Sequence, residues 1–393
     1  MYPVFTAIRQ WSNKALLAVG RVLYKLSLGL FPTSMFSMTV DSGHLKTDVR
    51  IVCEDEDSVT IAKFDEGGRI KDGNFKILST SDLHLGDDPK LRKKAFQLLA
   101  NHICQSKPDL IVFTGDIILS KFQQIDAIEF AQFMEKIGVY WTIVFGNHEA
   151  REEKGFFKYL LLKSVSDYKH CLAKFGPEEL FGYGNYCVNI LNSETSLQQS
   201  LFMFDSGRDI PDEYRSQYDI PADMGGYDFL KKEQIDWYRG KIASLREKYG
   251  DFKSLMYMHI PLKEYEHAIR QKEDGTFEFT DECKILYGSA HESVGCSAYN
   301  SGMFDAILEE KSTQAVFSGH DHVNDFCAVY KGIYLVYNQH CGYETYHMGT
   351  NFGWEEKHWK QGVTITLIDA KGEIKLAQRF NSMYLKKQPQ KQQ

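Results

Sequence analysis

The sequence lacks the features that would place it in several common classes. Its 393 residues include eight cysteines, but no two of them form a Cys-x-x-Cys pair. That leaves no thiolate set for a structural zinc. Single cysteines scattered over a chain of this length read as reduced core residues, not as a disulfide framework. An excess of basic charge is also missing. Lys and Arg total 46 against 53 Asp and Glu, a net charge of −7, which argues against a nucleic-acid binder driven by phosphate neutralisation. A phosphate ester held at a metal is still allowed, because the metal supplies positive charge locally. There is no fixed-period repeat, and the one low-complexity block is the tail KKQPQKQQ at 386–393, which reads as disordered. Nor is there an uncharged apolar run of membrane-spanning length. The nearest, NKALLAVGRVLYKLSLGLF at 13–31, is interrupted by Arg21 and Lys25. Lys14, Arg21 and Lys25 share one helical face and leucines cover the rest. That pattern predicts an amphipathic basic helix, able to pack on a domain or to make peripheral membrane contact, rather than a clean secretory signal. A cytoplasmic location, with membrane association through 13–31, is the expectation.

What is present is ordinary for a globular chain: 43% apolar and 25% charged residues. The length allows two or three domains, or one large α/β domain with insertions. Residues 40–73 are polar and acidic and read as a connector or a small β arm. From Phe75 the pattern becomes regular. FKILST, DLIVFT and VYWTIVF read as buried strands, and they alternate with helical spacing over LRKKAFQLLANHICQ and IDAIEFAQFMEKI, which indicates βαβ units. Gly138 is a helix stop. Further strands are expected at SLFMF, SLMYM and QAVFS, with antiparallel strands at FCAVYKGIYLVYN and GVTITLIDA. The expected division is an N-terminal extension at 1–73, a catalytic domain at 74–385 and the tail at 386–393.

The chemistry collects at the strand ends. The first strand ends in Asp82 and His84, the second in Gly115-Asp116, and the third in Gly146-Asn147-His148-Glu149. Later strands end in His259 and in Gly319-His320-Asp321-His322. In open α/β folds, ligands bind beyond the carboxyl ends of the strands. Two Asp, one Asn and several His form an oxygen and nitrogen donor set suited to Mn, Zn, Fe or Ni. Each element alone is a weak signal. A lone Gly-Asn-His is a plausible loop, and a single His259 could be a core histidine. All five, in order and each after an apolar run, point to a two-ion site.

This ordered set resembles the calcineurin-like metallophosphoesterases, whose pattern is Asp-x-His, Gly-Asp, Gly-Asn-His-Asp/Glu, a distant His and then Gly-His-x-His. GYDFLKKEQIDWY, NSGMFDAI and GHDHVNDF are similar to the branch related to purple acid phosphatases. The resemblance implies a β-sandwich of two mixed sheets flanked by helices, with a dinuclear metal site at the strand ends. It implies that Asp82, His84 and His322 take one metal and that Asn147, His259 and His320 take the other. Asp116 would bridge two divalent ions (Mn, Fe or Zn). A water between the ions would attack phosphorus, and His148 would contact the phosphate and assist the leaving oxygen. Asp321 is a candidate to orient its neighbouring histidines, and Glu149 to orient His148 or to cap the next helix. The reading is a phosphoesterase acting on a monoester. A phosphodiesterase or nucleotide pyrophosphatase with the same metals, or an inactive scaffold, are the alternatives. One departure stands out. Purple acid phosphatases carry a metal-binding tyrosine three residues after the Gly-Asp aspartate, where this chain has Leu119, and His84 stands where they carry glycine. A divalent, colourless centre is therefore expected. The long segment 263–300 falls between two ligand strands and should border the site. His291, Glu292 and Asn300 are its candidates for substrate contact, and the aromatic stretch 342–354 is a candidate pocket wall.

Overall fold

Alternation along the buried strands decides which layer each side chain joins. In the computed structural model, which describes residues 45, 47–120, 123–149, 156–356 and 359–380, two mixed sheets result. The larger runs in the order β1 (Val49–Glu54), β2 (Ser58–Lys63), β6 (Tyr186–Ser193), β7 (Ser196–Met203), β8 (Ser254–Tyr257), β12 (Thr313–Ser318), β14 (Ile333–Tyr337), β13 (Cys327–Tyr330) and β11 (Lys284–Tyr287). The smaller runs β16 (Ile374–Phe380), β15 (Gly362–Ile368), β3 (Phe75–Thr80), β4 (Leu110–Thr114) and β5 (Tyr140–Val144). A short hairpin, β9 (Ile269–Gln271) with β10 (Phe277–Phe279), stands apart.

Val59, Ile61, Val188, Leu201, Leu255, Tyr257, Ala315 and Phe317 face the smaller sheet and share one apolar core with Ile77, Leu78, Val112 and Trp141. Their neighbours Ala62, Cys187, Phe202, Met256 and Val316 face outward. There they meet Ile235, Tyr238 and Ile242 of the helix Lys232–Tyr249, and Met303, Phe304 and Ile307 of the helix Met303–Glu310. Every strand in the middle of the larger sheet is thus buried on both faces, as a sandwich with an outer helical layer requires. Each fully buried Leu, Ile or Phe contributes about 1.5–3 kcal/mol.

The helices expected in the first half form as the spacing predicts. The helix Pro89–Ser106 starts with Pro89 and is capped by Asp88, whose side chain accepts from the backbone N–H of Lys90 and Leu91. It buries Phe96, Leu98, Leu99 and Ile103. The helix Gln123–Ile137 ends at Gly138, whose φ of 75° is the left-handed conformation that terminates helices. Parallel pairing of β7, β8, β12 and β14 explains why the second half looks less regular in sequence: its strands are linked by unequal insertions.

The acidic stretch 40–73 takes the second of its two expected forms, a small β arm, and adds residues to the core. It is no mere connector, because β1 and β2 form a hairpin at the edge of the larger sheet and β2 pairs in parallel with β6. The charged residues lie on the exposed face of β1 and in the turn, while Val59, Ile61 and Ala62 are buried. The body of the sheet therefore begins before residue 74. The basic stretch 13–31 and the tail 386–393 lie outside the described residues. No helix among the described residues is long and apolar enough to cross a membrane.

Candidate metal centre

Parallel β3, β4 and β5 end on the same edge as parallel β8 and β12 of the other sheet. The two sheets are tied together at this edge. Ser79 Oγ donates to Asn338 Oδ1 (2.7 Å), Thr80 Oγ1 to the Gln339 carbonyl (3.0 Å), and Ser81 forms a β-bridge with His340. The loop after β3 is thereby set against the loop after β12, where the backbone N–H of His320 donates to Asp82 Oδ2 (2.9 Å).

Three donor groups follow: Asp82 with His84 and His322; His84 with Asp116 and His148; and Asp116 with His259 and His320. Within each group the ligand atoms lie within 4.8 Å of one another. Asn147 joins the third, with its Oδ1 at 2.9 Å from His259 Nε2. Asp116 Oδ2 lies 3.3 Å from His259 Nε2, 3.7 Å from His84 Nε2 and 3.8 Å from His148 Nε2, so one carboxylate faces three imidazoles.

The backbone is shaped for this convergence. Of eight described non-glycine residues with positive φ, four are site residues: Asp82 (52°), His84 (44°), Asp116 (50°) and His320 (77°). Left-handed backbone is costly for such residues and persists where surrounding contacts enforce it, commonly at functional sites. Two motif glycines are required by close approach. A Cβ on Gly146 would lie 2.0 Å from Asp116 Oδ1, and one on Gly319 would lie 1.8 Å from Ser81 Oγ and 2.8 Å from Asp82 Oδ2.

The donor set fits a cation on tautomer grounds. The Thr114 carbonyl can only accept, so His259 Nδ1 donates to it (2.7 Å). That leaves the Nε2 lone pair aimed at two oxygens, of Asn147 and Asp116. His322 Nδ1 likewise donates to the Tyr346 carbonyl (2.9 Å). Its Nε2 lone pair then faces His84 Nε2 at 3.0 Å and Asp82 Oδ1 at 3.3 Å. Asp82 Oδ1 is buried with no hydrogen-bond partner. Lone pairs converging this closely away from water are satisfied by a proton or a metal ion. The field has the matching sign. Burial pulls the His259 pKa down, yet the Asp116 carboxylate overrides it and raises the group to about 10. His320 goes the other way, to about 3, through burial and the adjacent His259.

Two supporting roles differ from expectation. Glu149 neither orients His148 nor caps a helix. Its buried carboxylate accepts the backbone N–H of Asp116 (3.0 Å), Ile117 (2.6 Å), Ile118 (2.9 Å) and Gly146 (2.8 Å), and so clamps the loop after β4 to the loop after β5. Asp321 accepts from Gly295 N–H, Asn324 Nδ2 and the Tyr337 hydroxyl instead of from a ring of His320 or His322. It is buried because it staples the segment 289–295 to the core. That segment borders the site, since a Cβ on Gly295 would reach His320 Cδ2 at 2.6 Å.

Of the rim candidates, Glu292 lies nearest. It accepts from Val323 N–H (2.9 Å) and from the Tyr346 hydroxyl (2.9 Å). His291 donates its backbone N–H to Asn324 Oδ1 (2.9 Å), and its ring belongs to none of the three donor groups. Asn300 is further removed: its Nδ2 donates to Glu264 Oε1, and it lines a separate cavity of about 800 Å³ with Lys263, His267, Arg270 and Glu282. Three aromatic rings border the site: Tyr346, within the stretch expected as a pocket wall, and Tyr227 and His340, which escaped the sequence reading. Tyr346 stacks on His322 (4.2 Å between centroids, 11°), Tyr227 meets His320 edge-on (4.2 Å), and buried His340 lies 4.4 Å from His322. His340 follows β14 as the other site residues follow their strands, and that was the available signal.

The match to known proteins agrees with this arrangement. The sequence profile described as calcineurin-like phosphoesterase matches residues 75–324, and the chain belongs to that family. It is 30% identical over 320 residues to "Probable inactive purple acid phosphatase 29" of Arabidopsis thaliana, covering 72% of this chain and 75% of that one. It is also 30% identical over 284 residues to "Phosphatase DCR2" of Saccharomyces cerevisiae, covering 65% of this chain and 45% of that one. Among solved structures, a purple acid phosphatase from yellow lupin (Lupinus luteus) seeds superposes at 14% identity with a TM-score of 0.47, over 79% of this chain and 52% of that one.

Proposed function

We propose that the chain is a metal-dependent phosphomonoesterase with a dinuclear site. The observation that carries this reading is Asp116, whose carboxylate belongs to two donor groups at once. Asp82, His84 and His322 would hold one divalent cation, and Asn147, His259 and His320 the other, with Asp116 common to both. Two such cations would supply Lewis-acid stabilisation of phosphate oxygens and lower the pKa of a water. The protein side chains do the rest. His148 is the outward member of the set. Its side chain is 40% exposed while those of His84 and His259 are fully buried. Its imidazole is thus open to the incoming ester and placed to hydrogen-bond a phosphoryl oxygen or to give a proton to the leaving alcohol, a contribution of about 10²–10⁴-fold. Glu149 keeps the loops bearing Asp116 and Asn147 in fixed register, and the Thr114 and Tyr346 carbonyls fix the tautomers of His259 and His322.

A second reading is favoured by the word "inactive" in the name of the Arabidopsis relative. On it, the chain keeps the fold and the metals as a binding scaffold. A panel of phosphate monoesters and diesters, run separately with Mn, Zn, Fe(II) and Mg, tests the choice. The phosphomonoesterase reading expects metal-dependent turnover of monoesters above diesters. Protein with two metals per chain and no turnover of any ester would establish the scaffold instead.

A further inference from the structure

Six large apolar side chains are notably exposed among the described residues. Three of them, Ile51, Val52 and Leu286, lie on the edge strands of the larger sheet, and three, Tyr346, Phe352 and Trp354, fall within nine residues of one another, with Tyr346 against His322 of the candidate metal centre. Tyr346 is built in. One ring face stacks on His322, its hydroxyl donates to Glu292 Oε2 (2.9 Å) and accepts from His322 N–H (3.3 Å), and the residue is still 36% exposed. Phe352 (43% exposed) and Trp354 (36%) lie 5.8 Å apart, and the His291 ring touches both, at 5.5 and 5.4 Å. The backbone of His291 is in turn bonded to Asn324, two residues past His322. Apolar rings left in water at the rim of a polar site carry a hydration cost that a planar ligand group would relieve. Tyr346 is already held by its stacking on His322 and its hydrogen bonds, so for that ring little ordering entropy opposes binding.

We infer that Tyr346, Phe352, Trp354 and His291 form an aromatic platform that selects phosphate esters whose organic group carries a planar aromatic ring. This rests on the phosphoesterase reading and names the substrate class of the same site. The phosphate would sit at the strand ends while the ring lies against the platform.

Two probes of equal carbon count separate ring stacking from plain apolar burial: benzylphosphonate and cyclohexylmethylphosphonate. Their affinities are measured by calorimetry on the full chain loaded with Mn²⁺. The platform predicts tighter binding of benzylphosphonate, by about 3–10-fold as expected for aromatic pairing. In the double variant Phe352→Ala/Trp354→Ala, with metal content checked, the ratio should fall close to one. Equal affinities in the unmodified chain, a preference undiminished in the double variant, or no binding of either probe would overturn the inference. The two readings fail separately. Turnover of benzyl and cyclohexylmethyl phosphates with equal phosphonate affinities removes the platform and keeps the phosphoesterase. A benzylphosphonate preference without turnover of any ester does the reverse.

Discussion

Two clusters of buried charge among the described residues are built differently. In the first, behind β7, Asp205 accepts the Lys158 ammonium at 2.6 Å and the N–H groups of Tyr183 and Gly207. Close by, Asp228 pairs with fully buried Lys231, whose ammonium also sits over the rings of Phe229, Phe181 and Tyr214. Each carboxylate there has its own cation within the chain. In the second cluster, at the strand ends, the partners described for Asp82 and Asp116 are imidazoles and backbone N–H groups, with no ammonium or guanidinium among them. Burial of an anion without a matching cation is expensive. The first cluster neutralises its carboxylates within the chain, although Asp228 Oδ2 is left without a hydrogen bond. The second offers its carboxylates only imidazoles and N–H groups and would be completed by cations from outside the chain, and that difference is the physical argument for metal.

The contrast can be broken by exchanging the consequences of mutation. Asp116→Asn should give the largest functional effect: metal content and hydrolysis fall together, with the rate down by at least ~10²-fold. Elemental analysis and an ester assay on the same preparation check this, and full metal with a near-normal rate would remove Asp116 as the shared ligand. Asp205→Asn should act on stability instead. Stripping the partner from buried Lys158 costs about 3–5 kcal/mol, read by denaturant unfolding, while metal content per folded chain stays the same. His148→Gln sharpens the boundary of the second cluster. It should keep both metals and lose about 10²-fold or more in kcat, and loss of metal would make His148 a ligand. Gly295→Ala should be milder. The added methyl presses on Asp321 and His320, and metal affinity should fall about 10-fold, the lower end for groups that position ligands. Competition with a chelator measures it.

The convergence of the donor residues was legible in the sequence because each follows a continuous apolar strand, so local pattern alone delivered Asp82, Asp116, Asn147, His259 and His320 to one edge. The sandwich was not legible from periodicity. It depends on which strands pair, and β2 with β6 or β7 with β8 join segments separated by long insertions. Glu149 was misread for a related reason. Its neighbour in sequence is His148, but three of its four partners are N–H groups 31–33 residues away, set by the register of β4 against β5. The rim was the least legible part. His340 gains meaning only when β14 is laid beside β12, and Asn300, in the long loop 263–300, turns away to Glu264.

Metal stoichiometry tests the two-ion site most directly. The unmodified chain and Asp116→Asn would each be stripped with chelator, equilibrated with Mn²⁺ or Zn²⁺, freed of unbound ion and analysed for metal alongside a thermal melt. The account predicts two ions per unmodified chain, a melting temperature raised by metal as ligand linkage requires, and both effects reduced together in Asp116→Asn. An unmodified chain that takes up no metal, or an Asp116→Asn protein that binds two ions and is stabilised as much as the parent, would contradict it.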